Sequence, residues 1–181
     1  MEANEAGELQ ENAEHGAHDS SMRPVAFTMS VLAVLVAIVT VLGHRTHTEA
    51  VLDQAKASDQ WNFYQAKNIR NTDTGNAAAL LSVIQVTDAK KAAEIAKADA
   101  DKQAKWKDDL KDEQEKAEAL ETKVEQAEAR ADRYDLGEAL LEIALVTSSI
   151  TLLTRNRAYW LLGLLFGIAG IVSSASVLLL K

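Results

Sequence analysis

The chain has 181 residues, 48% of them hydrophobic and 25% charged, with 27 acids against 19 bases and a formal net charge of -8. A protein that grips phosphate backbones needs a basic surface, so this balance argues against a nucleic-acid partner. The absence of cysteine removes disulfide frameworks, thiolate metal sites and cysteine nucleophiles, and apolar runs long enough to cross a bilayer leave too few residues for one enzyme-sized soluble core.

Taken in chain order, residues 1–23 read as an acidic tail that does not fold by itself. Their acidic start and the long apolar run that follows differ from a cleavable signal peptide, so the first span is expected to stay attached. That span, residues 24–43, opens on Pro24, the only proline, placed where a helix has no amide bond to lose, and closes at Gly43. Its apolar stretch from Val25 to Leu42 is long enough for a bilayer. Small residues recur along it at Ala26, Ser30, Ala33, Ala37 and Thr40.

Residues 44–135 hold a single glycine, Gly75, and no proline, and Ala, Lys, Glu, Asp and Gln dominate, a helix-forming composition. A heptad runs through Leu110, Ala117, Val124 and Ala131 at one position and Trp106, Leu120, Ala127 and Tyr134 at the other, interrupted by Glu113. A segment that leaves a membrane and returns to it needs two arms of similar length, which places the reversal at Thr87 and Asp88 and makes Thr72 to Asn76 a break within the first arm. The run from Ala77 to Val86 is expected to pack near the tip.

The second span, residues 136–153, carries Glu142 and the hydroxyls of Thr147, Ser148, Ser149 and Thr151. A tight turn at residues 154–157 separates it from the third span, residues 158–180, which opens on Tyr159 and Trp160 at interfacial positions. The fold class this gives is all-α: three transmembrane helices with a long, coiled-coil-like extramembrane helical hairpin between the first and second.

Three groups of residues are candidates for function. A carboxylate inside a bilayer costs about 3 kcal/mol and marks a functional position by default, so Glu142, with Glu138 one turn nearer the interface and Ser148 and Thr151 beyond, forms a candidate intramembrane polar site. No Lys or Arg lies within any span. Gly163, Gly167, Gly170 and Ser174 form a candidate helix-packing face, within one chain or between chains. Asp59, Trp61, Tyr64, Gln65, Lys67 and Arg70 form a candidate interaction cluster, packed against residues 124–134 or open to another protein. The histidines fall in two pairs, His15 with His18 and His44 with His47; two ligands do not make a site, and neither metal nor cofactor is assigned.

The stretch Lys56-Ala57-Ser58-Asp59-Gln60-Trp61 with Tyr64-Gln65-Ala66-Lys67 and Arg70, and the stretch Asp135-Leu136-Gly137-Glu138 with Leu141-Glu142-Ile143-Ala144-Leu145 and Ser149-Ile150-Thr151-Leu152-Leu153, resemble the bacterial domain of unknown function 4337 family. The resemblance implies a bacterial membrane protein and supplies no activity. Two spans behind a coiled coil are also similar to mitochondrial calcium uniporters, but the connection here, Thr154-Arg155-Asn156-Arg157, has no acidic selectivity motif and would repel cations.

No phosphate loop, nucleophile elbow or carboxylate pair in a folded cleft is present, so the expected function is non-enzymatic. It is that of an oligomeric scaffold or interaction protein in the bacterial inner membrane. Its expected partners are the lipid bilayer, further copies of itself and a protein met by the hairpin. The alternative is an ion or proton pathway through Glu142. Arg155 and Arg157, unmasked by acids, place the tight turn in the cytoplasm and the hairpin in the periplasm.

Overall fold

A computed structural model of the chain describes residues 21–85 and 87–179, so the acidic tail with His15 and His18 lies outside the described residues. The described chain is all-helical. Helix α1 spans Arg23–Val83, α2 spans Ala89–Thr154 and α3 spans Arg157–Ser176, continued by a 3-10 turn at Val177–Leu179. Each of the three is long and apolar enough, over part of its length, to cross a membrane. The chain divides into two compact units, residues 1–49 with 126–181, and residues 50–125.

In the first unit the inward face of α1 is a row at alternating three- and four-residue steps: Val25, Met29, Leu32, Val36 and Val39, followed by Gly43 and Thr46. The small-residue stripe read for this span divides: Ala26 is buried, Ala33 packs against the core and Thr40 is half-buried, whereas Ser30 and Ala37 are exposed. Large aliphatics won the inward positions. Opposite them Leu141, Ala144 and Leu145 complete the core.

Helices α2 and α3 meet differently, through missing side chains. A β-carbon built on Gly170 would lie 2.9 Å from the carbonyl oxygen of Gly137 and 2.9 Å from Leu141 Cγ, and one on Gly163 would lie 2.9 Å from the carbonyl oxygen of Ala144. Gly167 lies against Leu32 of α1 and Ala144 of α2. The hydroxyl of Ser173 donates to the carbonyl of Arg133 at 3.1 Å, and the indole of Trp160 donates to the Thr28 hydroxyl at 3.3 Å. These bonds tie α3 to both other helices.

The turn between α2 and α3 is two residues long. Arg155 adopts φ 55°, the left-handed conformation, and its amide donates to the carbonyl of Thr151 at 2.8 Å, the bond that closes a helix whose last residue turns left-handed. Asn156 then caps α3, its side chain accepting from the amide of Ala158 at 3.0 Å.

In the second unit α1 and α2 run antiparallel, because residues on the two sides of the 84–88 connection bond each other in reverse order: Asn71 with Gln103, Lys67 with Glu113, Trp61 with Glu121. The reversal falls where Thr87 and Asp88 predict it, and Asp88 Oδ1 accepts from the amide of Lys91 at 3.0 Å. The expected break at Thr72 to Asn76 does not exist. Thr72 and Thr74 return their hydroxyls to the carbonyls of Asn68 and Arg70, which satisfies them inside a helix, and Gly75 lets Gln103 approach to 3.1 Å from where a β-carbon would stand.

Two substitutions test the first unit from opposite sides. Gly170→Ala places a methyl group against backbone that cannot swing aside, and its thermal unfolding in detergent, followed by circular dichroism, should show a loss of about 1–3 kcal/mol. Arg155→Gly removes the left-handed penalty and should gain about 1 kcal/mol in the same assay.

Candidate functional site

The second unit is held by few large apolar contacts. Among its described residues the buried ones are Ala50, Ala57, Ala117 and Val124. On α2 the heptad positions Trp106, Leu110, Ala117, Leu120 and Val124 are covered, together with Ala92, Ala96, Asp99, Gln103, Asp109 and Glu113. On α1 the covered row is Ala50, Asp53, Ala57, Gln60, Tyr64, Lys67, Asn71, Thr74, Ala78 and Leu81. Every second member of that row from Asp53 to Thr74 is polar, so hydrophobic periodicity does not reveal it.

Glu113 sits where the heptad reading finds an interruption, and it is the best-bonded residue of the unit. Its carboxylate accepts from Lys67 Nζ at 2.8 Å and from the side-chain amide of Gln60. Both donors come from polar positions of the facing seam. The Glu113 side chain retains only 16% of its exposure and that of Lys67 31%, so solvent screens the pair incompletely. Lys67, and after it Gln60, hold the Glu113 carboxyl below the usual carboxylate range, while the bond to Glu113 outweighs desolvation and holds Lys67 above the usual lysine range.

The six residues of the candidate interaction cluster separate here. Trp61, Tyr64 and Lys67 turn toward α2, whereas Asp59, Gln65 and Arg70 are exposed. Trp61 Nε1 donates to Glu121 Oε1 at 2.7 Å, and the Trp61 and Tyr64 rings meet edge to face at 5.5 Å between centroids. Their partners lie at 113–121 rather than at 124–134, because the reversal at 84–88 fixes which residues are level with each other.

In the first unit the candidate intramembrane polar site also divides. Glu138 accepts from the Thr40 hydroxyl of α1 at 2.6 Å. Ser148 and Thr151 are fully buried but on another face: Ser148 lies against Gly163 of α3, and both hydroxyls return to their own helix, at the carbonyls of Ala144 and Thr147. Glu142 is half-buried one turn from Glu138. Sequence reasoning missed Thr40 as a partner because it lies 98 residues away.

Two further bonds join the same helices: His47 Nε2 lies 3.0 Å from Asp135 Oδ2, and Arg130 reaches Glu49 at 3.4 Å. Gly163, Gly167 and Gly170 face the other helices as described, and Ser174 stands where a β-carbon on Gly137 would clash. Their small size is used inside the chain.

A family model described as a domain of unknown function, DUF4337, matches residues 21–180. The chain belongs to that family. The match takes in the second unit, residues 21–49 and 126–180 of the first, and every candidate residue placed above. No curated protein and no solved structure matches this family member.

The Glu113 layer makes a pH prediction. A carboxylate whose folded pKa is depressed contributes stability above its unfolded pKa and loses it as pH falls through the folded value; a raised lysine contributes below its unfolded pKa and loses it as pH rises through the folded value. Stability of the second unit should therefore be flat between the usual carboxylate and lysine ranges and fall on either side. In Glu113→Gln the decline attributable to this carboxyl should disappear, which acid titration of helix content in the two proteins will show.

Proposed function

We propose that this protein is a three-span protein of the bacterial inner membrane whose second unit is an extramembrane, coiled-coil-like helical hairpin, and that it acts as a non-enzymatic scaffold. The distribution of side chains in the first unit carries this reading. Phe27, Val34, Leu161, Leu165, Ile168 and Val172 point outward, at 60–73% exposure, while Gly137, Ala144, Ser148, Gly163 and Gly170 face inward. Water would penalise that outward surface; lipid tails accept it, and close packing of small residues then supplies the cohesion that lipid does not. The bilayer is thus the first partner.

In the second unit Gln60 and Lys67 of the seam bond Glu113, and the outward faces carry interleaved acids and bases open to other proteins. Since the glycines of α3 are packed within the chain, self-association runs through the outward aliphatic faces or the hairpin. Crosslinking in cells should capture dimers or larger species. A strict monomer at all concentrations in detergent, with no neighbour captured in cells, would overturn the scaffold.

Sidedness follows from Arg155 and Arg157 in the two-helix turn. Alkaline phosphatase fused at Thr87 should be active, placing the hairpin in the periplasm. An inactive fusion beside a bright fluorescent-protein fusion at the same site would reverse the orientation.

A second reading, an ion or proton pathway, draws on the Glu138 to Thr40 bond and on Glu142 one turn deeper. It ranks below the scaffold because Ser148 and Thr151 spend their hydroxyls on their own backbone and line no shared route. An ion flux in reconstituted vesicles that Glu142→Gln abolishes would promote it.

A further inference from the structure

The end of the second unit carries an apolar surface that its own helices leave open. Leu80 and Val83 in the last turn of α1 and Ile84 directly after it are 59, 79 and 51% exposed; Ile95, on α2, is 45% exposed. Ala78 and Leu81 supply the inward contacts of this turn, so the packing expected for the run from Ala77 onward accounts for only part of it. The other three aliphatics are presented outward.

The charges beside them are unlike those of the rest of the unit. From Asn76 to Ala98 the acids are Asp88 and Glu94 and the bases Lys90, Lys91 and Lys97, whereas the rest of the unit, residues 50–75 and 99–125, holds thirteen acids against nine bases. Lys90 and Lys91 stand in the first turn of α2, which holds no acid. Cations there oppose the helix dipole, so helix stability does not account for them. Asp88, the nearest acid, is engaged as the cap of Lys91.

We propose that this tip, through Leu80, Val83 and Ile84 with Lys90, Lys91 and Ile95, is a contact site for an anionic phospholipid surface. The aliphatics enter the boundary between headgroups and acyl chains, and Lys90 and Lys91 meet the phosphates. Charge decides the occupant. A second copy docking tip to tip would bring four of these lysines together, while an anionic bilayer offers both the negative charge and the apolar layer beneath it. The proposal rests on the second unit alone and stands apart from the reading of the spans.

The cysteine-free sequence allows a single reporter. Full-length Val83→Cys, labelled with an environment-sensitive fluorophore and held in neutral phosphatidylcholine nanodiscs, is mixed with vesicles of phosphatidylcholine alone or with one-third phosphatidylglycerol. Anionic vesicles should shift the emission to the blue and raise it severalfold; neutral vesicles should not. The same label at Glu115→Cys should stay silent. Adding Lys90→Glu and Lys91→Glu should weaken the response by about tenfold or more, and so should Leu80→Asp with Ile84→Asp, in proteins whose helix content matches the parent. An unmoved emission, an equal response to neutral vesicles, or a rise with protein concentration before vesicles are added, the sign of a second copy on the tip, would each overturn the proposal.

Discussion

Two helices can bring their backbones together only where no β-carbon stands between them, and much of this chain's packing depends on that constraint. At Gly137, Gly163 and Gly170 there is no β-carbon, and the facing atoms are carbonyl oxygens and close side chains. Three of the four buried residues of the second unit are alanines. Cohesion of this kind comes from many close van der Waals contacts rather than from large areas removed from water. It suits α2 and α3, whose other faces are covered with exposed Ile, Leu and Val.

A seam so poor in large apolar groups specifies register weakly, since alanine fits against alanine at many offsets. The polar layer answers that. A slip of one heptad would strand the Glu113 carboxylate away from Lys67 and Gln60, leaving it only Lys116 of its own helix at 3.6 Å, and a half-buried charge that loses partners is costly. The Glu121 bond to Trp61 repeats the same device two turns along α2. A single polar residue that fixes alignment at some expense of stability is a known use of such positions in coiled coils.

The sequence made the three apolar helices and the reversal legible, because length, hydropathy and a capping Asp are local properties. It also located the covered face of α2, through Leu110, Ala117, Leu120 and Val124. The seam of α1 stayed hidden for a physical reason: Asp53, Gln60, Lys67 and Thr74 are covered polar residues, and a search for apolar periodicity passes over them. Pairing across the chain was equally hidden. Nothing near Thr40 in the sequence announces Glu138, and Ser148 and Thr151 look like companions of Glu142 until helical angle and hydroxyl direction separate them.

The connection between α2 and α3 is two residues, Arg155 and Asn156, one bent left-handed and the other a cap. It contains no slack. On the membrane reading, α2 is the less apolar span and carries Glu142, and it is followed almost at once during synthesis by the more apolar α3, whose glycines fit against it. The pair would then partition into lipid as a single preassembled wedge. The weaker helix would never have to be judged by the insertion machinery on its own hydropathy, which permits a carboxylate at that depth to persist.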